Sequence, residues 1–412
     1  MKIRNALLRK TKIINIIFIL TLFFPSNTYS YLLQGVFLVG LILSSPEVNH
    51  NRFSTHFKLL KMSFILWISI SFIYNVVVQT TFYKDSLIKI SYISMLILFF
   101  PISGNFKIYS NTLIICLSII VISQIAYILN IPFVVNLINI FYPDDIYSLK
   151  SEYLLSNSSN GFLNMRYGGL FRNPNHCGRI VSLLYAIYLI DIKKSKILMN
   201  ACVLVLFLFS ILLTGSRTAF LVVTLLTVFF VHKNIFVRYK GVYFPFFILT
   251  LLFALYFGDF RIESRIFDFS ELSGGDKHSS LTIKLNFLLD YIDNTLLRQP
   301  LDLIFGTFNV DNGENFVLDG NSRIKNFDSE IGYLIFSIGF VGLSLLLWFY
   351  RTVYRTTQRN THMLMILLVW SISSAVLTNM KFSFLFMLVL SLYYQRKNKS
   401  KEELYEGRNK IV

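Results

Sequence analysis

Charge is scarce in this chain, and acid is scarcer: 15% of its 412 residues are charged, with 22 acidic against 39 basic. So little charge excludes a water-facing domain around one core, which carries about 25% charged residues. Cysteine is limited to Cys116, Cys177 and Cys202, in or beside apolar runs and at no metal-like spacing. That excludes a disulfide framework and a thiolate metal cluster, and each cysteine reads as a small hydrophobe. A nucleotide loop is missing, and so is the alternating pattern of barrel strands.

What the chain has instead is 54% hydrophobic residues, 16% of all residues being aromatic, in runs long enough to cross a bilayer. A spanning helix needs about 20 apolar residues, because inside lipid each backbone group must find its partner within the segment. The expected fold is therefore an all-α polytopic membrane protein, a bundle of about twelve transmembrane helices with a large external loop carrying short helices. The expected spans cover residues 5–25, 28–44, 62–82, 87–103, 111–131, 175–191, 197–214, 218–232, 242–258, 329–350, 363–379 and 382–394. This divides the chain into 1–258 (nine spans and a first external loop over about 130–174), a large external loop 259–328, three spans over 329–394, and a basic tail 395–412. The basic start, apolar Ile13 to Phe24 and small Ser30 imitate a cleavable signal. A second apolar run follows at once, so an uncleaved hairpin is expected.

The net charge of +17 is a topology signal. Basic residues gather in alternate connections: Lys2 to Lys12; Arg52, Lys58 and Lys61; Lys107; Lys193, Lys194 and Lys196; Lys233, Arg238 and Lys240; Arg351, Arg355 and Arg359; and the tail from Arg396. These all fall on one side of the expected topology, and the rest of the chain is slightly acidic. Basic loops stay cytoplasmic, so both termini are expected there, and the charge is no footprint of nucleic acid.

Two external connections, 130–174 and 259–328, exceed what a turn needs. In the second, Leu281, Leu285, Leu288, Leu289 and Ile292 recur at helical spacing and predict an amphipathic helix across the bundle mouth, a lid that either packs or holds substrate. Three stretches carry candidate chemistry. "MRYGGLFRNPNHCGR" (Met165 to Arg179) holds Arg166 and Arg172 around a glycine turn, with Asn175 able to cap the next span; the pair reads as an anion site or as headgroup anchors. "LLTGSRTAFL" (Leu212 to Leu221) sets Arg217 between a Gly-Ser turn and a helix start whose free N–H groups also favour anions, though an interfacial anchor has the same appearance. "NFDSEIGYLIFSIGFVG" (Asn326 to Gly342) puts Asp328 and Glu330 before a span with Gly339 and Gly342; Asp328 is an N-cap or a base.

In this order the stretches resemble the O-antigen polymerase and O-antigen ligase superfamily of bacterial polysaccharide assembly. "RYGGLFRNPN" is similar to its Gly-x-Phe-x-Asn-Pro-Asn segment, Thr214 to Arg217 to its Thr-Gly-Ser-Arg turn, and Asp328, Ser329, Gly339 and Gly342 to the end of its large loop. "IKLNFLLDYIDNTLLRQPLDLIFG" (Ile283 to Gly306) resembles its Arg-x-x-x-Trp helix leading to Pro and Phe-Gly, with Lys284 in place of arginine and Phe287 or Leu288 near the usual tryptophan. Ligases usually carry histidine at the position of Asp328, so the acid looks more like the polymerase branch.

The resemblance implies a glycosyltransferase in the bacterial cytoplasmic (inner) membrane that joins sugar repeat units carried on undecaprenyl diphosphate at its outer face. No cofactor and no metal are implied, since the leaving group brings its own activation. Asp328 is the candidate base, with Glu330 the alternative. Arg217, Arg172, Arg166 and Lys284 are the candidate diphosphate clamp, and His278, in a polar segment, is either solvated or within reach. The implied partners are the lipid-linked oligosaccharide, membrane lipid, a chain-length regulator and a flippase of the same pathway. Competing readings are an O-antigen ligase and a lipid-linked oligosaccharide flippase. A flippase should line its path with charges deep in several spans, whereas here the spans are nearly charge-free.

Overall fold

The computed structural model describes residues 2–24, 35–36, 55–77, 93–94, 96–98, 100, 107–129, 131–141, 167–171, 174–191, 197–234, 288–289, 292–293, 296, 300–307, 317–318, 322–323, 330–356, 370 and 381–394. In chain order the helices are α1 (Lys2–Phe23), α2 (Thr55–Val77), α3 (Ser110–Ile128), α4 (Pro132–Phe141), α5 (Pro174–Asp191), α6 (Ile197–Thr214), α7 (Arg217–Asn234), α8 (Pro300–Phe305) and α9 (Glu330–Thr356), followed by α10 (Lys381–Tyr394). A 3-10 turn covers Gly169–Phe171, and two-residue strands β1 (Val317–Leu318) and β2 (Ser322–Arg323) pair antiparallel. The spans expected over 28–44, 242–258 and 363–379 lie almost wholly outside the described residues.

Among the described residues, three stretches are long and apolar enough to cross a membrane: His56–Val77, Ser110–Ile128 and Leu334–Arg355. Shorter apolar helices run over Thr11–Phe23, Met199–Thr214, Thr218–Thr227 and Lys381–Tyr394. Their faces are inverted relative to a helix in water. On α2 the outward stripe is Leu59, Met62, Leu66, Ile70, Ile73 and Val77, while Ser71 and Asn75 point inward and are buried. On α3 Ile115, Ile122 and Leu129 are exposed, and Ser123 and Gln124 are buried. Apolar groups outward and polar groups inward is the arrangement that lipid favours, because only the interior offers hydrogen-bond partners.

Local differences from the sequence expectation have plain causes. The connection 130–174 contains a helix of its own, α4, because Pro132 cannot continue α3 yet suits the first position of a new helix. Pro174 takes that same position in α5, so Asn175 lies inside the helix instead of capping it. α9 is broken at Gly339, whose φ of 65° and ψ of 178° leave the helical region. Of the expected lid helix, Leu288, Leu289, Ile292 and Leu296 are helical, and Leu289 and Leu296 are exposed.

The chain packs as two units interleaved in sequence: residues 1–46 with 103–268, and residues 47–102 with 269–412. In the first unit α5 is the central helix. From Ile180 to Ile190 every residue is buried, and α3, α6 and α7 pack against the helix. A helix apolar on all sides has to be buried on all sides. In the second unit α9 packs on α2 and α8. There Phe100 meets Phe349 edge-on at 5.7 Å and Tyr394 at 6.2 Å.

Candidate functional site

In the first unit, two of the stretches singled out in the sequence meet. Tyr167 N donates to Leu213 O at 2.9 Å, which joins the glycine segment Tyr167–Phe171 to the turn ending α6. Thr214 shapes that turn: its Oγ1 donates to Ile211 O at 2.7 Å and accepts from Ser216 N at 3.2 Å. Gly215 N closes it on Leu212 O at 2.9 Å. Ser216 is the N-cap of α7, its Oγ accepting from Ala219 N at 3.4 Å, and Arg217 is the first helical residue. At Gly178 an added Cβ would stand 2.8 Å from Ala219 Cβ, so glycine lets the starts of α5 and α7 lie side by side.

A buried amide holds this cluster. Gln124 of α3 is fully buried. Its Nε2 donates to Tyr167 O at 3.0 Å, to Ser210 O at 3.1 Å and more weakly to Cys177 Sγ at 3.6 Å, while Oε1 accepts from Ser210 Oγ at 2.8 Å. Beside it Ser123 Oγ accepts from Leu170 N at 3.1 Å. Gly169, at φ 55°, lies directly over Ser123 and Gln124, where a Cβ would collide with Ser123 Oγ. Phe171 stacks on Phe23 at 6.2 Å and faces the His176 ring at 5.7 Å. Burial pushes the Tyr167 phenol above its ordinary pKa.

In the second unit, the segment leading out of α8 is fastened to α2 and α9. Tyr74 Oη donates to Asp302 Oδ1 at 2.8 Å, and Asn75 Nδ2 donates to Gly306 O at 3.1 Å. Gly306, at φ 80°, ends α8, its N–H donating to Asp302 O at 2.8 Å. It sits back to back with Gly339: a Cβ on Gly306 would strike Ser337 O, and one on Gly339 would strike Ile304 O. Phe336 O, beside the break in α9, accepts both Thr307 N at 2.9 Å and Thr307 Oγ1 at 3.1 Å. The Phe-Gly and Gly-x-x-Gly stretches of the sequence therefore touch, and the break sets the direction in which the first turns of α9 leave it.

The candidate residues are distributed as follows. Arg217 opens α7 and Glu330 opens α9, each described as helical backbone. Arg166, Arg172, His278, Lys284 and Asp328 lie outside the described residues, although Tyr167, next to Arg166, is fastened to the turn before Arg217. The sequence reading missed Gln124, Asn75 and Asp302, all buried. It weighed charges in the spans and passed over uncharged amides; Asp302 lay within the Ile283 to Gly306 stretch but was given no role. Among the described residues, no three His, Cys, Asp or Glu side chains come together to hold a metal ion. No protein-family model matches this sequence, and no curated protein does.

Proposed function

We propose that this chain is a polysaccharide polymerase, acting on O-antigen or capsule repeat units linked to undecaprenyl diphosphate, at the outer face of the bacterial cytoplasmic membrane. It has about twelve spans and both termini in the cytoplasm. The observation that carries this reading is the hydrogen bond that joins Tyr167, at the start of the glycine segment, to Leu213 in the turn in front of Arg217. Two short arginine-bearing stretches, separated by about 40 residues, share one end of the first unit, next to a capped helix start. Free N–H groups at a helix start and guanidinium forks both suit diphosphate oxygens.

In the proposed reaction an acceptor hydroxyl of one lipid-linked unit attacks the anomeric carbon of the growing chain. The bond from that carbon to the diphosphate oxygen breaks, and its electron pair leaves with undecaprenyl diphosphate. The hydroxyl proton passes to the Asp328 carboxylate, or to Glu330 in its place. Arg217, Arg172, Arg166 and Lys284 take up the charge on the departing diphosphate, with His278 able to assist. No cofactor and no metal enter these steps. Deleting the gene and resolving surface polysaccharide by gel tests the proposal. Single repeat units on an otherwise intact anchor are expected; loss of every unit points to a ligase or a flippase instead.

A further inference from the structure

We propose that Gln124 is a positioning residue: its side chain holds the Tyr167–Phe171 segment in the one conformation that joins it to the turn before Arg217, and diphosphate binding at that end of the unit depends on this hold. The proposal rests on the diphosphate reading above. Its own ground is the pattern of hydrogen bonds. An amide buried in an apolar helix destabilises unless every polar atom is satisfied, and leucine would serve that helix as well. Gln124 is satisfied entirely by other elements, namely Tyr167 O, Ser210 O and Oγ, and Cys177 Sγ. None of those bonds supports α3 itself.

The grip falls on a significant residue. Tyr167 N is fixed by Leu213 O, at the turn before Arg217, and Tyr167 O is fixed by Gln124 Nε2. Both polar backbone groups of Tyr167 are thereby held, and because a peptide group is planar, so is the direction in which the chain leaves toward the Gly168-Gly169 turn. The next anchor, Leu170 N on Ser123 Oγ, comes from the residue preceding Gln124. Two adjacent side chains of one helix thus clamp a loop at points three residues apart. Gly169 has no Cβ where the loop crosses them.

The test uses the full chain in lipid nanodiscs, with amide hydrogen exchange over Tyr167–Phe171 and binding of undecaprenyl diphosphate read on the same samples. In Gln124→Leu the segment should exchange about tenfold faster or more, with α5 still protected. Affinity for undecaprenyl diphosphate should fall about tenfold or more, a confined loss that general unpacking would not produce. Ser210→Ala removes only the donor to Oε1, should give a smaller effect of the same kind, and carries the test should Gln124→Leu fail to accumulate. Unchanged exchange in both variants overturns the hold, and so does a loosened segment with undiminished affinity. A wild-type chain that binds no undecaprenyl diphosphate, while Gln124→Leu still frees the segment, overturns the diphosphate reading alone.

Discussion

At the scale of residues, three buried amides do what charged groups would do in a soluble protein. Asn15 of α1 donates to Lys107 O at 2.9 Å and accepts from Tyr109 N at 2.9 Å, tying the entry of α3. Asn75 and Gln124 likewise donate to Gly306 O and Tyr167 O. An amide offers donors and an acceptor without the desolvation of an ion, so it can fix a loop from inside an apolar helix. The charged candidates are tested by substitution. Arg217→Ala should abolish long polysaccharide while the protein accumulates in the membrane, and Arg217→Lys should restore only part, because a point charge cannot reproduce a bidentate fork; full activity in Arg217→Ala, read on a polysaccharide gel, removes the residue from the site. For Asp328 the capping and catalytic readings separate on one change. Asparagine caps a helix nearly as well as aspartate, yet it cannot accept the proton, and losses of roughly 10² to 10⁴ in rate follow removal of a general base. Asp328→Asn should therefore accumulate normally and make no long polymer, with Ser329→Ala mild; near-normal polymer in Asp328→Asn shifts suspicion to Glu330 or His278.

At the scale of elements, the paired glycines are the feature on which the second unit depends. Gly306 ends α8 at φ 80° and Gly339 breaks α9 at φ 65°, and each occupies the space where the other's neighbours would meet a Cβ. Alanine at either position meets backbone, which cannot swing aside as a side chain can, and adopts a left-handed φ that costs about 1–3 kcal/mol. We expect Gly306→Ala and Gly339→Ala to lower the melting temperature of the purified protein clearly, and the Gly306→Ala/Gly339→Ala pair to be non-additive, since both crowd the same contact. Gly35, where an added Cβ finds nothing within 4 Å, is the control and should tolerate alanine. Equal melting temperatures for Gly35→Ala and Gly306→Ala would show that the break in α9 is not held by this contact.

At the scale of the whole molecule, the inverted faces of α2 and α3 and the apolar stretches His56–Val77, Ser110–Ile128 and Leu334–Arg355 suit a chain in lipid. The basic connections then predict its orientation. Reporter fusions after Lys194, Lys233 and Arg355 should behave as cytoplasmic, and fusions after Ser158 and Ser279 as external. An external signal at Arg355 together with a cytoplasmic one at Ser279 would reverse the topology and remove the arginine stretches from the face where the proposed reaction occurs.

Length and apolar periodicity were enough to locate α1, α2, α3, α5, α6, α7 and α9, because a helix in lipid closes its own hydrogen bonds and needs no partner to be recognisable. The Gly-Ser turn before Arg217 and the glycines at 339 and 342 were also legible, each being a local necessity written in two or three adjacent residues. Tertiary structure alone decided that residues 47–102 pack with 269–412 while 103–268 packs with the N-terminal segment, since apolar helices of similar character give no preference for one neighbour over another. It alone decided that Tyr167 meets Leu213, that Gly306 meets Gly339, and that Gln124 reaches three other elements. Those choices are made by hydrogen bonds between groups that lie tens of residues to more than two hundred residues apart. A buried donor has no partner until the chain is folded around it, and nothing in its own neighbourhood of the sequence names that partner.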